Sequence, residues 1–139
     1  MSAAAEVWMQ SILIVEDQAD VRAFLVVVLT RAGFHIREAA NGGEGIACLV
    51  DKLPDLVITD IFMPVNDGLE VIRAVRRMDQ NLPIIAISGG TPMIGRDYLP
   101  VAESFGATTT LMKPITPQEL LAAVHQSLAT TMPMGQVSC

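Results

Sequence analysis

Polar side chains of complementary types follow four of the short apolar runs in this sequence. Glu16 and Asp17 follow the first run, Asp60 ends the third, Ser88 follows the fourth and Lys113 follows the fifth. Three carboxylates, a hydroxyl and an ammonium are the groups needed to hold a divalent cation and to receive a phosphoryl group.

The three acidic residues predict a magnesium site. Carboxylates a few ångströms apart raise one another's pKa, because like charges repel strongly in a partly desolvated cleft. A divalent cation removes this conflict, and oxygen-only ligands favour Mg²⁺ over zinc, which prefers His or Cys. The ion would neutralise Asp60 and the incoming phosphoryl oxygens, while Lys113 and the Ser88 hydroxyl contact the remaining oxygens. The chemistry expected is in-line phosphoryl transfer to an aspartate.

Apolar runs that alternate with amphipathic segments predict a βα unit repeated five times. The predicted strands are residues 12–15, 34–39, 56–59, 84–87 and 109–112. The predicted helices are residues 21–31, 44–52, 69–78, 98–105 and 117–128. This order is typical of an α/β fold with a parallel sheet and helices on both faces. Ligands bind such sheets beyond the carboxyl ends of the strands, where the strand order reverses.

Length and composition predict one folded domain. The chain has 139 residues, of which 51% are hydrophobic and 17% charged, a composition that argues against disorder. We expect a domain over residues 11–129, with tails at 1–10 and 130–139. No apolar stretch is long enough to cross a bilayer, and the N-terminus lacks the features of an export signal, so the prediction is a cytoplasmic protein without a membrane partner.

The charge pattern argues against a nucleic-acid partner. The net charge is −6, and the basic residues cluster only at Arg73, Arg76 and Arg77. A protein that binds a phosphate backbone normally carries a basic patch. We therefore expect this chain not to bind nucleic acid.

Four motifs resemble the receiver domain of bacterial two-component response regulators, over roughly Ser11 to Leu128. They are the segments ILIVEDQADVR, VITDIFMPVNDGLEVI, IIAIS and LMKPI. The resemblance is to the stand-alone, single-domain type. It implies a doubly wound, flavodoxin-like (βα)5 fold with five strands in the order 2-1-3-4-5 and five flanking helices.

The resemblance also assigns roles to residues. Asp60 becomes the phosphoacceptor, and the backbone carbonyl of Phe62 becomes a ligand to Mg²⁺ beside the acidic side chains. Ser88 and Lys113 become the phosphate-binding and switch residues. The peptide bond between Lys113 and Pro114 is implied to be cis.

The function that the resemblance implies is signal transduction in a phosphorelay. A sensor histidine kinase or a histidine phosphotransfer protein would supply the phosphoryl group, and the aspartyl phosphate would alter the surface of the fourth helix, fifth strand and fifth helix. The chain would then bind a downstream protein or pass the group on, as a monomer or as a phosphorylation-dependent dimer. It would catalyse only its own phosphorylation and dephosphorylation.

Thr110 departs from the family pattern, and two alternative functions stay open. Receivers usually carry Tyr or Phe three residues before the lysine, whereas this chain has Thr110. That departure gives some support to a receiver-like interaction scaffold with weak or no switching. A phosphatase of the haloacid-dehalogenase type would need an acid two residues after the nucleophile, and Phe62 cannot act as one.

Overall fold

A computed structural model of the chain describes residues 9–63, 68–89 and 100–130. Within these ranges five strands alternate with five helical segments, as predicted. They are β1 (Ser11–Val15), α1 (Ala19–Arg31), β2 (His35–Ala39), α2 (Gly42–Asp51), β3 (Leu56–Asp60), α3 (Gly68–Met78), β4 (Ile84–Ser88), α4 (described over 100–105), β5 (Thr109–Met112) and α5 (Pro117–Thr130).

The five strands form one parallel sheet in the order β2-β1-β3-β4-β5. This confirms the expected fold class and strand order. The chain moves from β1 to β2 on one side and returns to β3 on the other, so the strand order reverses between β1 and β3. Polar groups at the carboxyl ends of these two strands therefore lie beside the crevice where such sheets bind ligands.

Alternate side chains of the strands point to opposite faces of the sheet and build two cores. One core, where α1 and α5 cover the sheet, contains Ile12, Ile14, Leu25, Leu29, Leu56, Ile58, Ile85, Ile87, Leu120 and Val124. The other, beneath α2, α3 and α4, contains Leu13, Val15, Leu49, Val57, Val71, Ile72, Val75, Ile84, Ala86 and Ala102. Because both faces are covered, β3 and β4 are buried along their whole length and read as continuous apolar runs.

Capping residues decide where α2 and α5 begin. The helix predicted from Glu44 begins at Gly42, because the Asn41 side chain accepts a hydrogen bond of 2.9 Å from the Glu44 N–H. At α5, the Thr116 hydroxyl accepts from the Glu119 N–H while the Glu119 carboxylate accepts from the Thr116 N–H. This capping box fixes the helix at its predicted start.

Some predictions concern residues at or beyond the limits of the described ranges. Helix α5 continues to Thr130, one residue into the segment assigned to the C-terminal tail. Tyr98, the predicted start of the fourth helix, lies outside the described residues, as do Pro64 and Asp67 of the third-strand motif. Among the helices that the structure describes, none is long and apolar enough to cross a membrane.

Candidate functional site

The acidic cluster forms where β1 and β3 end side by side. Val15 pairs with Thr59 across the two strands, so Glu16 and Asp17 leave β1 beside Asp60, the last residue of β3. One carboxylate oxygen from each of these three acids lies within 4.8 Å of the others. Glu16 and Asp60 are buried, at 0% and 3% exposure. The structure thus brings together the three acids that the sequence analysis singled out.

Lys113 brings a positive charge to this cluster from the end of β5. Its Nζ lies 3.1 Å from Glu16 Oε1 and 3.2 Å from Asp60 Oδ2. Of these two contacts, the one with Asp60 has the geometry of a hydrogen bond, and the approach to Glu16 Oε1 is an ion pair. One ammonium therefore faces two buried carboxylates, and the cluster keeps an excess of negative charge.

Burial is the main cause of the raised pKa values of the two buried acids. Burial, reinforced by the charge of Asp60, raises the pKa of Glu16 to about 7. Burial also raises the pKa of Asp60, although Lys113 partly opposes the shift. For Lys113 itself, burial would lower the pKa, but the charges of Asp60 and Glu16 outweigh it and raise the pKa. Relative to free side chains, the folded state therefore favours the protonated form of all three groups.

The carboxylate oxygens of the cluster suit Mg²⁺ as ligands. Glu16 Oε1 and Asp17 Oδ1 are buried and accept no hydrogen bond from the residues described. Glu16 Oε1 has the ion pair with Lys113, whereas burial of Asp17 Oδ1 without a hydrogen-bond donor costs free energy that a cation would recover. All the side-chain donors are carboxylate oxygens, the ligand type that Mg²⁺ prefers. The residues present thus fit this ion, with Glu16, Asp17 and Asp60 as the side chains that would hold it.

A cavity of about 200 Å³ opens beside Asp60. Asp17, Gln18, Asp60, Phe62, Gly89 and Lys113 line it. The Phe62 N–H donates a hydrogen bond of 3.3 Å to Asp60 Oδ1, which holds one oxygen of the carboxylate and leaves Oδ2 to Lys113. The cavity therefore gives a small ligand access to a carboxylate whose orientation is already set.

Gln18 is a residue of the site that the sequence motifs did not indicate. Its Oε1 accepts a hydrogen bond of 3.0 Å from Lys113 Nζ, and its own N–H donates to Glu16 Oε2 at 3.1 Å. The only signal in the sequence is its position directly after the acidic pair, at the end of a strand.

The other predicted site residues lie on β4 and β5. Ser88 ends β4 one residue beyond the partner of Asp60, and its buried Oγ has no hydrogen-bond partner in the described part of the chain. Thr110 is half-buried on β5, in register with Ala86 of β4. The peptide bond between Lys113 and Pro114 is cis.

Gly68 allows α3 to begin against the loop that follows Asp60. Its N–H donates to the carbonyl of Ile61 at 2.9 Å. A Cβ on Gly68 would collide with the carbonyl oxygen of Asp60 and would lie 2.7 Å from Ile61 Cα. Because these neighbours are backbone atoms, only glycine fits at the start of this helix.

Known proteins with similar sequences and folds are response regulators. The chain is 38% identical over 120 residues to the transcriptional regulatory protein AfsQ1 of Streptomyces coelicolor, covering 86% of this chain and 52% of AfsQ1. It is 34% identical to the DNA-binding response regulator MtrA of Mycolicibacterium paratuberculosis, covering 86% of this chain and 51% of MtrA. A putative response regulator from Chloroflexus aurantiacus has a TM-score of 0.80 and 32% identity, covering 87% of this chain and 98% of that structure.

The names of these relatives contradict the prediction about partners, which excluded nucleic acid. That prediction is wrong, because the related proteins are transcriptional regulators and include one described as DNA-binding. The net charge of −6 describes this chain alone, and the chain spans about half the length of the curated relatives it matches. The charge of one part of a protein carries no information about the partners of another part.

The family itself follows from a match over most of the sequence. The sequence profile described as "Response regulator receiver domain" matches residues 12–125. Receivers of this family are signalling domains that are generally not enzymes, and both phosphorylation and Mg²⁺ binding at an acidic pocket are general features of the family. The expected resemblance is confirmed: this chain belongs to the receiver domain family of two-component response regulators.

Proposed function

We propose that Asp60 of this chain accepts a phosphoryl group from the phosphohistidine of a kinase or phosphotransfer protein, and that the aspartyl phosphate changes the surface around α4, β5 and α5. One observation carries the proposal. The Asp60 carboxylate lies beside a cavity, between two further acids and an ammonium. A buried carboxylate held only for stability would not need further acidic oxygens beside it that lack a hydrogen-bond donor.

The transfer uses groups on this chain in separate roles. An Asp60 carboxylate oxygen forms the new bond to phosphorus as the phosphorus–nitrogen bond of the phosphohistidine breaks, and the histidine of the donor leaves with the electron pair. Mg²⁺ bound at this site would supply positive charge to the Asp60 carboxylate and to the phosphoryl oxygens. Glu16, Asp17 and the Phe62 carbonyl would hold that ion with Asp60. Lys113 offers its ammonium to a phosphoryl oxygen.

Phe62 supports this function over a phosphatase for external substrates. It stands two residues after Asp60, where a phosphatase would need an acid to protonate the leaving group, and it lines the cavity. A phenyl ring cannot donate that proton. We therefore propose that the chain catalyses only its own phosphorylation and dephosphorylation.

Ser88 and Lys113 are the residues that we propose to carry the change outward. The buried Ser88 hydroxyl has no partner in the ranges described, so it is free to turn toward a phosphoryl oxygen. Lys113 is continuous with β5, and its N–H donates to the Ser88 carbonyl at 2.9 Å. Thr110 on the same strand offers a hydroxyl and a methyl where an aromatic ring is usual, so we propose a smaller switch movement at this position.

The wider setting of the protein is also a proposal. We propose that the receiver occupies residues 11–129 and works in the cytoplasm. Its relatives AfsQ1 and MtrA are described as a transcriptional regulatory protein and as a DNA-binding response regulator. On that similarity, we propose that the phosphorylation state of Asp60 is read out as control of transcription.

The experiment that tests the proposal is incubation with acetyl phosphate, with and without Mg²⁺, followed by intact mass measurement. We expect one added phosphoryl group on the wild type, and none on Asp60→Asn or in the presence of a chelator. Asp51→Asn, which removes an exposed acid from α2, should be modified like the wild type. An unmodified wild type would refute the proposal and favour an interaction scaffold.

A further inference from the structure

Helix α1 begins without the side-chain cap that α2 and α5 have. Its N-cap residue is Gln18, with an extended backbone, and among the described residues the Gln18 side chain caps no N–H of the helix. By contrast, Asn41 and Thr116 cap α2 and α5 with their own side chains. Glutamine is not among the preferred N-cap residues. Capping of α1 therefore does not explain why position 18 is a glutamine.

The Gln18 side chain extends instead to Lys113. Gln18 Oε1 lies 3.0 Å from Lys113 Nζ, a contact between residues 95 positions apart. An ammonium can only donate hydrogen bonds, so the amide must present its oxygen. Gln18 and Asp60 are hydrogen-bond acceptors for Lys113, and Glu16 is its ion-pair partner. Three oxygen atoms thus surround an ammonium that has three N–H donors.

Gln18 differs from the other two partners because it is neutral. Glu16 and Asp60 both attract the ammonium by charge, and both also serve the cation and the phosphoryl group. An amide oxygen holds the ammonium through a charge-assisted hydrogen bond without adding to the negative charge of the cluster. It is the one of the three contacts that neither cation binding nor phosphorylation of Asp60 would alter.

We infer that Gln18 is a positioning residue for phosphoryl transfer, which holds the Lys113 ammonium at the cavity against the pull of Glu16. The inference rests on the proposed function of Asp60 and adds a residue that acts only through Lys113. Loss of the amide oxygen leaves the ammonium free to turn toward the acids and away from the place of the phosphoryl oxygens.

The first test measures the ammonium itself and needs no phosphorylation. The chain has two lysines, Lys52 and Lys113, so ¹⁵N-lysine labelling produces two side-chain signals in NMR spectra. Lys52 is exposed and serves as the internal control. We expect slow hydrogen exchange at the Lys113 ammonium in the wild type, exchange faster by several-fold in Gln18→Met, and recovery in Gln18→Glu, which keeps an acceptor oxygen at the same reach. Equal exchange in the wild type and Gln18→Met would overturn the inference.

The second test is a double-mutant cycle on the phosphorylation rate at saturating acetyl phosphate. Gln18→Met should slow the reaction several-fold, because the hydrogen bond to the ammonium that is lost is charge-assisted but exposed to solvent. It should cause no further loss in a Lys113→Ala background, and its urea midpoint of unfolding should equal that of the wild type. Independent losses in the double mutant, or a wild-type rate in Gln18→Met, would contradict a role through Lys113. If the wild type takes no phosphoryl group, the proposed function is refuted. The NMR exchange rates then still test whether Gln18 holds the Lys113 ammonium.

Discussion

The Lys113 ammonium, at the end of β5, donates a hydrogen bond of 3.2 Å to Asp60 Oδ2, at the end of β3, although β4 lies between these two strands. The lysine side chain therefore crosses the end of β4, where Gly89 follows the strand. A Cβ on Gly89 would lie 2.9 Å from Lys113 Cδ. Because Gly89 has no side chain, the Lys113 side chain has room to pass over the end of β4 and reach Asp60.

Gly89→Ala should slow phosphorylation of Asp60. The added methyl group meets the middle of the lysine side chain and displaces the ammonium from Asp60, and we expect a loss of roughly tenfold. The measurement is the rate of modification by acetyl phosphate with Mg²⁺. The same substitution in a Lys113→Ala background should have no further effect. A full rate in Gly89→Ala would show that the lysine reaches Asp60 by another path.

Gly68→Ala should destabilise the fold. The new Cβ meets the backbone of Asp60 and Ile61, which cannot move as a side chain can, so we expect a loss of about 3 kcal/mol in the free energy of unfolding. Urea denaturation measures the loss. Gly89→Ala is the matched control, because its nearest neighbour is a flexible side chain, and its unfolding free energy should stay close to that of the wild type.

The stability of the magnesium-free protein should fall as the pH rises. Burial raises the pKa of Glu16 from 4.5 to about 7 in the folded state, so between these values the folded protein binds more protons than the unfolded chain. The unfolding free energy therefore decreases with rising pH across this window, and the raised pKa of Asp60 acts in the same direction.

Urea unfolding with a chelator, on either side of that window, measures this pH dependence. Glu16→Gln should show a weaker dependence, because its amide does not titrate. Excess Mg²⁺ should restore stability to the wild type at the higher pH, since a ligand that binds only the folded state stabilises it. A wild-type protein whose unfolding free energy rises across the window would contradict the assigned burial of Glu16.

Arg76→Met should loosen the connection between α3 and α4. The Arg76 guanidinium donates to the carbonyls of Gly106 at 2.7 Å, Leu82 at 2.7 Å and Asp79 at 3.1 Å. Its removal leaves these acceptors without their partner, and we expect a loss of roughly 2 to 4 kcal/mol in the unfolding free energy. Arg77→Met, at the exposed neighbouring position, should change it by less than about 0.5 kcal/mol. Equal effects of the two substitutions would contradict this role of Arg76.

The element pattern could be predicted from the sequence because it depends on local features. Continuous apolar runs fit strands buried on both faces, as in β3 and β4, and the predicted and described elements agree within about two residues wherever both ends are described. Helix α2 begins two residues before its predicted start. The Asn41 side-chain cap outweighs the low helix propensity of Gly42 and Gly43. The strand order came from the family resemblance, since periodicity does not say which strands are neighbours.

The sequence by itself determined which chemical groups stand at the strand ends: the acids, the hydroxyl and the ammonium are plain from their positions after apolar runs. Only the tertiary structure decided how those groups meet. It places the Gln18 amide on Lys113 across 95 positions, and it raises the pKa of Glu16 by burial. The contact depends on the distance between segments that are remote in the chain, and the pKa shift depends on the burial of Glu16 by such segments. Neither the contact nor the burial exists before the sheet has formed.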